Sequence, residues 1–243
     1  MKTTYRHRLK TNEVASAMER AIQSVVANQQ RVLALVALVA LVAVAFGAYL
    51  YMRARTNAAV GALVGQAMLT LEAPVAPPPP PGQPATPGSY PTEQARLEAA
   101  LETFLEAADG YPNTNGGLLA RYQAASVLAA LDRPDEAVER FQEVMERADR
   151  DSLYYEMAQL GRVSAQAQAA QYDLAIATLE ELSGRTDGEI PPDAMLMQLG
   201  RVHLLAGNTD QARQVFQRLL DEYPESQFAA DAQREFDVLS LAS

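Results

Sequence analysis

The chain has 243 residues, enough for one or two domains, and its 20 basic and 30 acidic residues give a formal net charge of −10. It has no Cys, which excludes disulfides, thiol catalysis and thiolate metal sites, and it has no Trp. The charge is unevenly divided. Residues 1–31 hold six Lys or Arg against Glu13 and Glu19, whereas from Thr92 onward 12 Arg, no Lys and 27 acids leave −15. So acidic a domain repels phosphates, which excludes nucleic acid as a partner.

Residues 1–31 form a basic segment carrying Lys2, Arg6, Arg8, Lys10, Arg20 and Arg31. Within it Val14, Met18, Ile22 and Val25 fall at helical spacing, after a capping Thr11 or Asn12. Two readings fit this amphipathic stretch: a helix lying along lipid headgroups, or a docking helix for a cytoplasmic partner.

Val32–Met52 is an uncharged run rich in Ala, Leu and Val, bounded by Arg31 and by Arg53 and Arg55. As a helix it extends roughly 31 Å, close to the hydrocarbon thickness of a bilayer. Tyr49 and Tyr51 sit where an interfacial aromatic belt would lie. A buried helix of a soluble protein rarely runs so long without a polar residue. A cleaved signal peptide would have a shorter apolar stretch that begins earlier. The expectation is one transmembrane helix. The excess of Lys and Arg before it puts the N-terminus in the cytoplasm and the large domain outside.

Residues 53–72 extend the helix. Asn57–Leu71 reads as the first helix of a first repeat, and Gly61-Ala-Leu-Val-Gly65 within it permits close helix contact, as do Ala43 and Gly47 in the span. Residues 73–91 are a Pro-rich linker. Proline fixes φ and lacks an amide proton, so Pro77–Pro81 should be extended and act as a mobile spacer. A ligand for a proline-binding domain is the other reading.

Residues 92–243 are Ala-rich, helical in pattern and repetitive. Ala100, Phe104, Ala107 and Pro112 have the same spacings as Ala212, Phe216, Leu219 and Pro224, with Ala137, Phe141, Val144 and Ala175, Leu179, Leu182 between them. Small residues let two helices of a hairpin approach, and the larger apolar residues on the same face fill the gap. In the preceding helices Leu160-Gly161-Arg162-Val163 recurs as Leu199-Gly200-Arg201-Val202, with Ala124-Ala125 in the corresponding earlier place. Leu131–Glu136 and Ala206–Asp210 read as hairpin turns, Gly207 closing one helix and Thr209 or Asp210 capping the next. Gln227–Leu241 would cap the stack.

These residues resemble the tetratricopeptide repeat, best at Leu196, Leu199, Gly200, His203, Ala212, Phe216 and Pro224, with Leu196 and His203 replacing the family's usual Trp and Tyr. The 118–151 repeat matches at Ala125, Ala137 and Phe141. The 154–189 repeat departs from the pattern by about two extra residues near Ala167–Gln171. The expected fold is all-α: tetratricopeptide-like stacked helical hairpins after one transmembrane helix, each hairpin needing its neighbours to bury its apolar face. The whole layout also resembles the bacterial ancillary subunit of the Sec translocon. That resemblance implies association with the translocon and with periplasmic chaperones, an inner-membrane location and no catalysis.

No His-x-x-x-His, phosphate loop or nucleophile elbow is present. No cofactor or metal is expected. His203 falls at a packing position, and carboxylate pairs such as Glu180-Glu181 fall on solvent faces. The expected function is a non-catalytic, membrane-anchored scaffold that binds protein partners. The alternatives are a self-associating envelope protein and a carboxylate-based enzyme. In the tetratricopeptide family the first helix of each hairpin lines a concave groove, and the positions that match are Tyr122, Tyr155, Arg162 and Arg201. These are the candidate partner-binding residues, suited to a polypeptide segment with carboxylates.

Overall fold

The computed structural model describes Met18 and residues 29–77, 87–184 and 190–241. Among the described residues there are nine helices: α1 (Gln29–Glu72), α2 (Glu93–Gly110), α3 (Asn115–Ala130), α4 (Pro134–Arg147), α5 (Leu153–Gln168), α6 (Tyr172–Ser183), α7 (Pro192–Leu205), α8 (Thr209–Glu222) and α9 (Ala229–Leu241). The only extended pairing among them is an isolated bridge between Val75 and Tyr90. Apart from Met18, which is helical and exposed, the amphipathic stretch expected over Val14–Val25 lies outside the described residues, as does the proline run from Pro78 on.

The chain divides into two compact units, residues 1–56 and 57–243. In the first, the described part of α1 is the one helix among the described residues long and apolar enough to cross a membrane, and none of its most apolar window is buried. Leu33, Leu35, Val36, Leu38 and Phe46 all stand exposed.

The second unit begins with the end of α1. Val60, Val64 and Ala67 share one core with Ala100, Leu101 and Phe104 of α2. The ends of the proline-rich segment between them are tied together. Ala76 donates its amide to the Tyr90 carbonyl at 2.9 Å, Tyr90 donates to the Pro74 carbonyl at 3.0 Å, and Arg96 donates to the Ala73 carbonyl at 3.2 Å. The two described ends of this segment are therefore joined beside the start of α2. Three hairpins follow, α3–α4, α5–α6 and α7–α8, each helix packing on the next, and α9 packs on α8.

The three hairpin turns share one construction. Asp132, Ala170 and Gly207 sit at positive φ, +58°, +56° and +78°. The residue after each returns an amide to a carbonyl five positions earlier: Arg133 to Leu128 at 3.0 Å, Gln171 to Gln166 at 2.8 Å, Asn208 to His203 at 2.8 Å. The left-handed residue's own amide bonds three back, which completes a Schellman motif. In the last turn Asn208, not Thr209 or Asp210, is the N-cap, and it makes no side-chain cap bond, because the tight turn itself sets the helix start.

The long-range repeat is structural too. Tyr111 and Tyr223 end α2 and α8 in nearly the same conformation, (−131°, 53°) and (−133°, 58°), each just before a proline. Ala100, Phe104, Ala107, Ala212, Phe216 and Leu219 are all fully buried. Phe141 and Phe216 each lie over a glycine of an adjacent helix. A Cβ on Gly161 would meet the Phe141 ring at 2.4 Å, and one on Gly200 the Phe216 ring at 2.4 Å.

Candidate functional site

Charge separates by helix. α2 carries five acids against one Arg, and among the second helices of the hairpins α4 carries five against two, α6 three against none and α8 three against two. The first helices are nearly neutral: α3 carries only Arg121, α5 Glu156 with Arg162, and α7 Asp193 with Arg201. The negative field therefore comes from α2 and the second helices, and the first helices are left for apolar contact.

α3 and α5 touch directly, and between α5 and α7 a groove of about 870 Å³ opens. That volume lies within the range of small-ligand and peptide-side-chain pockets. One wall is α5, with Met157, Leu160, Val163, Ser164, Ala167 and Gln168. The other is α7, with Ala194, Met195, Gln198, Arg201, Val202 and Leu205. Gly161 of α5, with Tyr122, Tyr172, Ile190 and Phe228, completes it. Among the described residues Arg201 is the only charged one in the lining. It is 46% exposed, and its Nη2 lies 4.0 Å from Asp231 Oδ2, a carboxylate already bonded to Arg234.

The four expected groove residues separate into two pairs. Tyr122 and Arg201 line the groove. The Tyr122 ring also packs edge-on against Phe141, centroids 5.6 Å apart. Arg162 points elsewhere. Its Nη1 donates to Gln142 Oε1 of α4 at 2.8 Å, and it lies outside the groove lining. The reason is the ring beneath it. Gly161 approaches Phe141 of the preceding hairpin, which carries the next residue toward α4, whereas Gly200 approaches Phe216 of its own hairpin and leaves Arg201 facing the groove. Tyr155 is half-buried in the first turn of α5, its amide donating to the Ser152 hydroxyl at 3.3 Å, and it too is outside the lining.

Sequence reasoning missed Gln198, Tyr172 and Phe228. The available signal for Phe228 was an aromatic immediately before a capping helix. It also missed Arg121, which is 2% exposed and donates from Nη2 to the Ala108 carbonyl at 3.0 Å and to Asp109 Oδ1 at 3.2 Å. Its Nε lies 2.8 Å from Glu143 Oε2, without the alignment of a hydrogen bond. Arg140 reaches the same two carboxylates, so the cluster fastens α2, α3 and α4 together.

His203 is buried near the end of α7, its Nδ1 3.5 Å from Asn208 Nδ2. Burial pushes its pKa below the ordinary histidine value, against a smaller opposing pull from Glu180. Among the described residues no three of His, Asp and Glu are grouped to hold a metal ion.

Residues 193–226 match the tetratricopeptide repeat family. No curated protein matches the chain. Among solved structures, the nearly identical TPR-like repeats assigned to a Podosopora anserina kinesin light chain align at TM-score 0.50 and 15% identity, over 60% of this chain and 79% of that one. A point variant of the same protein aligns equally well, over 60% and 78%. At that identity the likeness concerns the fold alone. Such repeats are protein-interaction modules that present an extended concave surface. The chain therefore has an all-α, tetratricopeptide-like repeat fold, with one repeat of that family at 193–226.

Proposed function

We propose that this protein is a membrane-anchored, non-catalytic scaffold that holds a partner polypeptide in the groove between α5 and α7. The observation that carries the reading is the groove itself: about 870 Å³, walled by apolar side chains, with Arg201 its only charge among the described residues. The occupant is an apolar segment with a single carboxylate. Arg201 pairs the carboxylate, and the amides of Gln168 and Gln198 are at hand for peptide groups. Arg162, engaged with Gln142, takes no part.

Val32–Met52 is the anchor. The basic N-terminal segment stays in the cytoplasm and the repeats lie on the periplasmic side of a bacterial inner membrane. This arrangement suits an ancillary role at the Sec translocon, with periplasmic chaperones or translocating chains as partners. A second reading, self-association, draws on Gly47, Gly61 and Gly65, where a Cβ would meet nothing within 4 Å.

The test is in-cell photocrosslinking from the full chain. A photoreactive residue at Gln198 should capture a partner, one at Glu139 on the acidic α4 should not, and Arg201→Glu should reduce capture at Gln198 by about tenfold or more. Equal capture at both positions, or capture indifferent to Arg201→Glu, rules the groove out. Adducts made only of the chain itself would favour self-association.

A further inference from the structure

In α5, Glu156, Gln159, Val163 and Gln166 fall at i, i+3, i+7 and i+10, on one face, and all four are buried. Val163 shows where that face points, since it shares a core with Ala175 and Leu179 of α6. Three of these four buried positions are thus polar, and α5 adds only the half-buried Leu160 and Ala167 to that core. The Oε1 atoms of Gln159 and Gln166 are buried and accept no hydrogen bond from the described residues. A buried carbonyl that gave up water without gaining a donor favours any motion that restores one.

The opposite face of α5 belongs to a different core. Ala158 and Ala165 pack with Ala120, Ala124, Phe141 and Val144 of the preceding hairpin. α5 thus meets the preceding hairpin through apolar contacts, while its other side carries two buried amide oxygens that nothing among the described residues answers. The turn into α6 adds to this, because Ala170 takes the left-handed conformation, which disfavours a Cβ, where Gly207 serves in the next hairpin.

We infer that the α5–α6 interface is the hinge of the repeat stack. α6 to α9 move as a body against α3 to α5, and local opening begins at this interface. The groove stands across it, with Leu160 and Ser164 on the α5 side and Gln198 and Arg201 on the α7 side, so hinge motion sets the groove's width. The hinge exists whether or not the groove takes a partner.

Hydrogen exchange on the full chain in detergent micelles tests this. Amides over Ala175–Leu179 in α6 should exchange about tenfold or more faster than those over Ala137–Val144 in α4 and Ala212–Leu219 in α8. Equal protection of the three helices overturns the hinge, and that comparison needs only the unmodified chain. Replacing the orphaned amides, Gln159→Leu with Gln166→Leu, should slow exchange in α6 about tenfold and leave α4 unchanged. Unchanged or faster exchange in α6 overturns the proposal. Gln166→Leu alone gives the same readout with a smaller change of volume.

Discussion

The α3–α4 hairpin buries Arg121, and the α5–α6 hairpin buries Gln159 and Gln166. A guanidinium is far costlier to bury than an amide, and here its charge is answered by two carboxylates and its Nη2 by two acceptors, although Nε and Nη1 make no hydrogen bond among the described residues. Arg121 sits among the Ala108 carbonyl and the carboxylates of Asp109 and Glu143, contributed by α2 and α4. The two glutamines leave their carbonyl oxygens unpartnered among the described residues. The firmness of a buried polar group depends on the opposite charge and acceptors that neighbouring helices supply. One hairpin uses its polar residue to fasten three helices. The other carries polar residues where its two helices should adhere.

The largest loss is expected at Arg121. Arg121→Ala removes a fully packed side chain, the Nη2 donor that holds two oxygens, and the charge beside Glu143. Asp109 and Glu143 are 58% and 36% exposed, so water recovers them and limits the loss. The expected destabilisation is about 2–4 kcal/mol, read as a lowered urea midpoint. Arg121→Met keeps much of the volume without the charge and should recover about half of it. A loss below about 1 kcal/mol for Arg121→Ala would mean that this cluster behaves as an exposed ion pair.

Much of this architecture was legible in the sequence, because its signals are steric. The matched spacings of Ala100, Phe104 and Ala107 and of Ala212, Phe216 and Leu219 report fully buried positions, and burial leaves little freedom of residue type. The Leu-Gly pairs report two real approaches of a ring to a glycine. The groove was only half legible. The Leu-Gly-Arg motif is the same at 160–162 and 199–201, but the ring over the glycine comes from the preceding hairpin in one case and from the same hairpin in the other. One arginine turns to α4 and the other to the groove. Local sequence does not encode which neighbour supplies the ring. Arg121 escaped notice for a related reason: an isolated arginine in an apolar helix reads as a surface residue until its acceptors are assembled from two other helices.

The two glycines under aromatic rings distinguish a joint between hairpins from the inside of one. Gly161→Ala pushes a methyl group into the Phe141 ring, in the joint between the α3–α4 hairpin and α5. Gly200→Ala does the same to Phe216 inside the α7–α8 hairpin. Each should cost about 1–3 kcal/mol from overpacking, offset in small part by alanine's better helix propensity. Because Phe141 also packs edge-on with Tyr122, Gly161→Ala should disturb the groove as well. Near-ultraviolet circular dichroism should register that shift of tyrosine and phenylalanine packing. If both variants melt as the parent does, the rings have room to swing, and the joint between hairpins is looser than its geometry implies.

The smallest expected effect separates the hairpins at their turns. All three use the same backbone: a left-handed residue followed by an amide that reaches back to the preceding helix. The residues in the left-handed position are Asp132, Ala170 and Gly207. Glycine has no Cβ to clash there, aspartate tolerates the conformation through local hydrogen bonding, and alanine has neither advantage. Ala170→Gly should therefore stabilise the domain, by about 0.5–1 kcal/mol once the added chain entropy of the unfolded state is subtracted. Gly207→Ala should destabilise by about 1 kcal/mol through the same clash in reverse. Thermal melts of the two variants beside the parent decide it, with opposite shifts expected in Tm. If Ala170→Gly lowers Tm, unfolded-state entropy outweighs strain at this turn, and the weakness of the α5–α6 hairpin lies wholly in its buried amides.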